Sequence, residues 1–199
     1  GGAQPLALDP EGSVYGFAFH GERFAAAIAE GSRIELWEGA WGEALKLRSR
    51  GPASVAPTYA STKSIATIED LRGPPRVMLR GRAVSQPGRV ATALTVCRDP
   101  GTERARLLWV EQGKHSTYVF SMAAAGRDAV PTVAWSGSGA VRTIACSPDG
   151  RSAVFGYDGG DLEGKGTYLM SAREGLWPTP VRISTTIATG AAWGRSRAL

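Results

Sequence analysis

The chain has 199 residues, of which 43% are hydrophobic and 21% are charged. This composition is typical of a folded protein and excludes an intrinsically disordered one. The net charge of +5 is small, so we expect no nucleic-acid partner. No apolar run approaches the roughly 20 residues of a membrane-spanning helix, and residues 1–5 lack the basic and apolar regions of a signal peptide.

Short alternating strands separated by turns recur along the chain, which contains 26 glycines and 12 prolines. The predicted strands, in chain order, are 16–19, 24–29 and 33–37; 59–63, 64–69 and 76–79; 94–98, 105–111 and 117–122; 144–146, 151–157 and 166–170; and 190–193. Many short strands closed by glycine- and proline-containing turns indicate an all-β fold.

The clearest copy of the repeat lies in residues 144–170. An apolar strand runs into the turn Ser147-Pro148-Asp149-Gly150, and a second alternating strand follows it. Proline fixes φ at the first central position of such a turn, whereas glycine accepts a positive φ. We therefore predict a positive φ at Gly150.

The copies can be aligned on the residue that ends the first strand of each. That column contains Phe19, Tyr59, Cys97, Cys146 and Trp193, which are spaced 38 to 49 residues apart. Four-stranded propeller blades repeat every ~40–50 residues. Single blades of this kind bury their faces against their neighbours.

The Ser-Pro-Asp-Gly-Arg turn at 147–151 resembles the blades of TolB-type and WD40-like propellers and of the N-terminal propeller of S9 (prolyl oligopeptidase family) peptidases. Only Leu36-Trp37-Glu38 approaches the Trp-Asp ending of a WD40 blade, and no Gly-His precedes it, so the TolB or S9 type is favoured. The resemblance implies an all-β fold, a β-propeller segment of about four blades. Its repeats would begin near 14, 54, 90, 141 and 188.

Partial blades are predicted at both ends of the chain. Residues 1–8 resemble the outermost strand of a preceding blade, and residues 191–197 resemble the first strand of a following one. Unpaired strands and apolar faces would then remain open. The partner predicted from this arrangement is another protein chain, or the remainder of the same polypeptide, that completes the propeller.

No catalytic set is evident in the sequence. His20 is placed at a turn and His115 before a strand, and Gly137-Ser138-Gly139 lacks the spacing of a nucleophile elbow. The loop Asp158–Gly166 groups three carboxylates, which suit Ca²⁺, but a solvated loop is the favoured interpretation. We therefore expect no catalytic, cofactor-binding or metal-binding residues and no cofactor.

Cys97 and Cys146 occupy the same column of successive repeats. A disulfide needs Cα atoms within about 7 Å, and equivalent positions on neighbouring blades were expected to lie further apart. The prediction is therefore two buried, reduced and unbridged cysteines.

An arginine-rich stretch without acidic residues contains Arg72, Arg76, Arg80, Arg82 and Arg89. Arg80 and Arg82 are predicted to share one face of a strand. The stretch could bind phosphate or an acidic partner, but an outer strand protected by its charges from edge pairing is the favoured interpretation.

Six tryptophans supply large apolar side chains, at positions 37, 41, 109, 135, 177 and 193. Most are predicted to pack between blades, since aromatic residues carry the largest buried area. Trp41 lies in a predicted loop and is expected to be exposed.

The predicted function is a non-catalytic β-propeller scaffold for protein or ligand interaction. The alternative is the gating propeller portion of an S9-type serine peptidase, whose catalytic domain would lie outside this chain. A Gly-x-Ser-x-Gly elbow in sequence following Leu199 would favour the peptidase.

Overall fold

A computed structural model describes residues 12–30, 33–51, 54–61, 64–70, 73–98, 105–125, 129–147, 150–173 and 176–190. These residues form sixteen β-strands and no helix. The strands make four antiparallel sheets of four strands each, and the strand order within every sheet follows the chain. The prediction of an all-β chain is confirmed. The predicted end strands 1–8 and 191–197 lie outside the described residues.

Each sheet is built from four consecutive strands. The first contains β1 (Ser13–His20), β2 (Arg23–Glu30), β3 (Arg33–Ala40) and β4 (Lys46–Gly51). The second contains β5 (Ser54–Ser61), β6 (Ser64–Glu69), β7 (Arg76–Leu79) and β8 (Arg82–Ala83). The third contains β9 (Val90–Arg98), β10 (Ala105–Gln112), β11 (Thr117–Ala123) and β12 (Thr132–Gly137). The fourth contains β13 (Ala140–Cys146), β14 (Ser152–Asp158), β15 (Gly166–Ser171) and β16 (Val181–Ser184).

The sheets pack face to face in chain order. The first strands of successive sheets lie beside each other, β1 with β5, β5 with β9, and β9 with β13. The aligned residues Phe19, Tyr59, Cys97 and Cys146 lie at or within two residues of the ends of these strands, whereas Trp193 lies outside the described residues. The repeat therefore corresponds to one four-stranded sheet.

Three apolar cores separate the four sheets. The core between the second and third sheets includes Ile68, Val77, Leu107 and Trp109. The core between the third and fourth sheets includes Val110, Val119, Phe155, Tyr157, Tyr168 and Met170. A smaller one between the first and second sheets contains Ala25, Leu36, Tyr59 and Ile65. Alternate residues of each central strand face one neighbouring sheet, as the period of a β-strand requires.

The prediction of two unbridged cysteines is wrong. Cys97 and Cys146 form a disulfide, and their Cα atoms lie 5.2 Å apart. The reason is that β9 and β13 are both first strands and pack directly against each other. Equivalent residues at their ends therefore approach within bridging distance, although they belong to different sheets.

The turn between β13 and β14 agrees with its predicted chemistry. Gly150 has a φ of 69°, and its N–H donates to the carbonyl of Ser147 at 2.9 Å. The hydroxyl of Ser147 accepts a hydrogen bond from the N–H of Ser152 at 2.9 Å. The positive φ at Gly150 is thereby confirmed.

In the part of the chain that the structure describes, no helix could span a lipid bilayer.

Candidate binding site

A cavity of about 630 Å³ lies between the outer parts of the second and third sheets. Apolar side chains and two arginines line it: Leu79, Arg80, Arg82, Ala83, Val84, Met122, Ala129 and Pro131. Known ligand pockets have this size range, and the two arginines make a large part of this lining polar. The cavity is therefore the candidate binding site.

Arg80 reaches from the second sheet to the third. Its Nε donates to the hydroxyl of Ser64 at 3.1 Å, and its Nη2 donates to the carbonyl of Ala124 at 3.4 Å. These two bonds hold the guanidinium across the groove between the sheets. Arg82, in contrast, makes no side-chain hydrogen bond or ion pair with any described residue, and its side chain is exposed.

The expectation that Arg80 and Arg82 share one face of a strand is wrong. β7 ends at Leu79, and Arg80-Gly81 form the tight turn to β8, with Leu79 paired to Arg82. The φ angles are 54° at Arg80 and 75° at Gly81. Positive φ at both central residues is the pattern of a type I′ hairpin turn, which is usually occupied by Asn, Asp or Gly.

The other arginines of the stretch have different roles. The Nη2 of Arg76 donates to the carbonyl of Ser85 at 2.6 Å. The guanidinium of Arg89 lies over the ring of Tyr118, 4.0 Å from its centroid. Arg72 lies outside the described residues. The stretch is therefore divided between packing contacts and the cavity, and it does not form one continuous basic patch.

A second cluster of charges surrounds Glu38 on β3. Its carboxylate accepts hydrogen bonds from Arg23 at 2.7 Å, from Arg48, and from the hydroxyl of Tyr59 at 3.3 Å. Burial raises the pKa of Glu38, but the hydrogen bonds and charges of Arg23 and Arg48 outweigh it, so the pKa is lowered. This carboxylate links the first sheet to the second and is neutralised by its own partners.

Tyr59 is the residue of the aligned column on β5, and the pKa of its phenol is raised. Burial raises its pKa to about 12, and the negative charge of Glu38 adds to the effect. A cavity of about 280 Å³ lies beside this cluster and includes Arg23, Glu38, Lys46 and Arg48 in its lining. Because the Glu38 carboxylate already binds two of these cations, the cavity is a weaker candidate for a ligand.

A fully buried carboxylate lies between the second and third sheets. Glu111 on β10 is 0% exposed. Its Oε1 accepts hydrogen bonds from the indole of Trp109 at 2.7 Å and from the N–H of Gln86 at 3.1 Å. Its Oε2 lies 3.9 Å from Nη1 of Arg89. The network fixes the chain before β9 against β10, so it is structural.

The carboxylates of the loop Asp158–Gly166 are bound by the protein itself. Asp161 accepts hydrogen bonds from the N–H of Ser138 at 2.6 Å and from the hydroxyl of Tyr157. Asp158 pairs with Arg142 at 3.3 Å, and Glu163 pairs with Arg182 at 3.5 Å. The described residues contain no group of three or more candidate metal ligands.

The histidines are far apart in the fold. His20 ends β1, and its ring centroid lies 5.7 Å from that of Tyr59. His115 is exposed between β10 and β11. The structure therefore does not bring the two together.

The tryptophans divide between cores and surface. Trp109 is completely buried, and Trp135 and Trp177 pack against the core between the third and fourth sheets. Trp41 is 54% exposed and stacks on Phe19, so the prediction for Trp41 is confirmed. Trp193 lies outside the described residues.

Sequence analysis missed the Glu38 cluster and the Glu111 network. In β10 the pattern Trp109-x-Glu111 places an indole N–H beside the carboxylate two residues away on the same face, and Glu35-x-Trp37 in β3 does the same for Glu35, not for Glu38. A tryptophan and a glutamate two residues apart in a predicted strand therefore indicate a hydrogen bond between their side chains. The remaining partners, such as Tyr59 for Glu38, come from another sheet.

No family model matches the sequence, and no curated protein matches it. Among solved structures, the crystal structure of the computationally designed Ika4 protein is similar. It has a TM-score of 0.54 and 12% sequence identity, and the match covers 86% of this chain and 99% of that chain. At this identity the similarity concerns the fold alone.

Proposed function

We propose that the chain is a segment of a β-propeller and acts as a non-catalytic scaffold for protein or ligand interaction. Its ring is completed by another protein chain or by the remainder of the same polypeptide. Four consecutive four-stranded sheets, stacked in chain order with their first strands adjacent, support the propeller assignment. In a propeller the innermost strands of neighbouring blades converge in this way around a central channel.

Apolar outer faces at both ends of the stack are the observation that carries the proposal. On β1, Ala18 packs against the core with the second sheet, so Phe17 and Phe19 point to the opposite side. They are 63% and 55% exposed, and Trp41 stacks on Phe19 with an interplanar angle of 9°. We call these three side chains the first-sheet outer face.

The fourth sheet has a corresponding surface. Val154, Leu169 and Val181 are paired in register across β14, β15 and β16. Phe155 and Tyr168 face the third sheet, so this row points away from it. Val181 is 63% exposed. We call the row the fourth-sheet outer face.

Both outer faces are suited to packing against a neighbouring blade, because such packing would bury their apolar side chains. Burying one large apolar side chain contributes about 1.5–3 kcal/mol, which is a substantial part of the ~5–15 kcal/mol that stabilises a domain. A scaffold whose end blades lack neighbours would lose this stabilisation at both ends. Pairing the two faces with further blades recovers it.

The mass of the purified chain in solution tests the proposal. Light scattering of the wild-type chain should show self-association or incorporation into a larger particle. Each of the variants Phe17→Glu and Val181→Glu should have a mass closer to that of the monomer. The control is Val130→Glu, because Val130 is 75% exposed and belongs to neither outer face. A folded, soluble monomer with a cooperative melt would contradict the proposal.

A further inference from the structure

We propose that the 630 Å³ cavity between the second and third sheets binds an extended peptide of a partner protein that carries carboxylates beside apolar side chains. This inference rests on the proposed scaffold function and identifies its binding site. Arg80 and Arg82 would bind the carboxylates. Ala83, Val84 and Pro131, the accessible apolar residues of the lining, would contact the apolar side chains.

The backbone at Arg80 provides the first argument. A non-glycine residue at a φ of 54° is disfavoured, and only Asn and Asp adopt this region readily among side-chain-bearing residues. Arg80 is the only non-glycine residue with a positive φ in the part of the chain that the structure describes. Strained residues of this kind cluster at ligand-binding sites. Asparagine would suit the backbone of this turn, but it would lack the guanidinium group that arginine provides.

The available hydrogen-bond donors provide the second argument. Arg80 uses its Nε and Nη2 on Ser64 and Ala124, which fixes the guanidinium while its Nη1 stays without a described partner. Arg82 has no described side-chain partner at all and lies two residues away across the turn. Two arginines in the lining of one cavity suit carboxylates, because each guanidinium presents several N–H donors in a rigid plane.

The free edge of the second sheet provides the third argument. β8 has only two residues and is the last strand of its sheet. Its outer backbone groups face away from β7, beside the cavity that Ala83 and Val84 line. The short length of this edge and the charge of Arg82 protect it from pairing with another sheet. A short extended peptide that carries carboxylates can still add to it, because its charges complement the arginine, and main-chain hydrogen bonds then contribute to affinity.

The lining argues for a peptide rather than a nucleic acid. Among the described residues that line the cavity none is aromatic, whereas single-stranded nucleic acids stack their bases on aromatic rings. Ala83, Val84 and Pro131 present an apolar surface next to the two charges, whereas Leu79 and Met122 are buried in the core beneath it. The best complement is a chain in which acidic and apolar side chains alternate.

Fluorescence polarisation with a labelled hexapeptide of alternating Asp and Val provides the test. The peptide should bind the wild-type chain, and the corresponding Lys–Val peptide should not. Arg80→Asn and Arg82→Gln should each weaken binding about ten-fold or more, as expected for loss of a charged hydrogen bond. Arg33→Gln, an exposed arginine of the first sheet, should leave the affinity unchanged.

A second readout separates binding from folding. Because asparagine suits the type I′ turn, Arg80→Asn should keep or raise the melting midpoint while it removes binding. Equal affinity of the three variants, equal binding of the Lys–Val peptide, or no binding of the Asp–Val peptide would overturn the site. If the binding test fails but light scattering shows that the same sample still assembles into a larger particle, the scaffold proposal stands and only this binding site is refuted.

Discussion

Cys97 at the end of β9 and Cys146 at the end of β13 are joined by a disulfide that links the third sheet to the fourth. The two residues are 49 positions apart in the sequence. The bridge therefore closes a loop that contains most of the third sheet and the first strand of the fourth. Such a loop restricts the unfolded chain more than the folded one.

Removal of the bridge should destabilise the chain. The double variant Cys97→Ser, Cys146→Ser should lower the free energy of unfolding by about 2–4 kcal/mol, because the unfolded state regains loop entropy. Denaturant titration measures the change, and the wild-type chain under reducing conditions is the control. Thiol titration of the denatured, unreduced chain should find no free thiol, and two free thiols at that step would contradict the bridge.

The turn at Gly150 supports a second prediction. Gly150→Val should lower the free energy of unfolding by about 1–3 kcal/mol, because a β-branched residue is strained at a φ of 69°. Gly150→Asn should lose less, since asparagine tolerates the left-handed region. Thermal melts of both variants measure the difference. Equal melting midpoints for the two would mean that backbone strain is not the cause.

Alkaline pH should destabilise the folded chain through ionisation of Tyr59. Its pKa is raised to about 12 from an ordinary value of 10.0, so the neutral phenol is favoured in the folded state. The stabilisation is complete below pH 10 and is lost as the pH rises toward 12. The melting midpoint of the wild-type chain should therefore fall in this range by more than that of Tyr59→Phe, and parallel curves would contradict the assignment.

Acid pH should act through Glu38. Because its pKa is lowered from the ordinary value of 4.5, the ionised carboxylate is favoured by folding. That stabilisation is present above about pH 4.5 and is lost as the pH falls through the folded-state pKa. In urea titrations, the free energy of unfolding of Glu38→Gln should therefore fall less at acid pH than that of the wild-type chain. An equal fall in the two proteins would exclude Glu38 as the cause.

Glu111 supports a prediction about buried hydrogen bonds. Glu111→Leu leaves the indole N–H of Trp109 and the N–H of Gln86 without their acceptor, at about 1–3 kcal/mol for each buried donor. Glu111→Gln keeps an acceptor oxygen and should lose less. Glu35→Leu is the comparison, because Glu35 accepts from the half-buried Trp37 and from the exposed Arg50, which water can solvate after the change. A loss from Glu111→Leu no larger than from Glu35→Leu would contradict this account.

The strands could be predicted because their signals are local. Alternation and turn residues placed β6 at 64–69 and β7 at 76–79, as the structure has them. The positive φ at Gly150 followed in the same way from the chemistry of one turn. Each of these features depends on residues close together in the chain.

Contacts between sheets could not be predicted in the same way. The repeat places Cys97 and Cys146 in one column, but the distance between these equivalent residues of successive sheets depends on how closely β9 and β13 pack. The arginine stretch is evident in the sequence, whereas the turn at Arg80-Gly81 is not, because arginine is rare at a positive φ. The pairing of Glu38 with Tyr59 joins two sheets and has no signal within either strand.

The Cys97–Cys146 bridge also changes how the chain responds to a pulling force. A chain held at its two ends can lengthen only along segments that are not enclosed by a covalent loop. The span of 49 positions from Cys97 to Cys146 would be withheld from extension, which corresponds to roughly 160–180 Å of contour length at ~3.3–3.6 Å per residue. Under load the first and second sheets would unravel to their full length, whereas β10 to β13 would add none until the bridge is reduced.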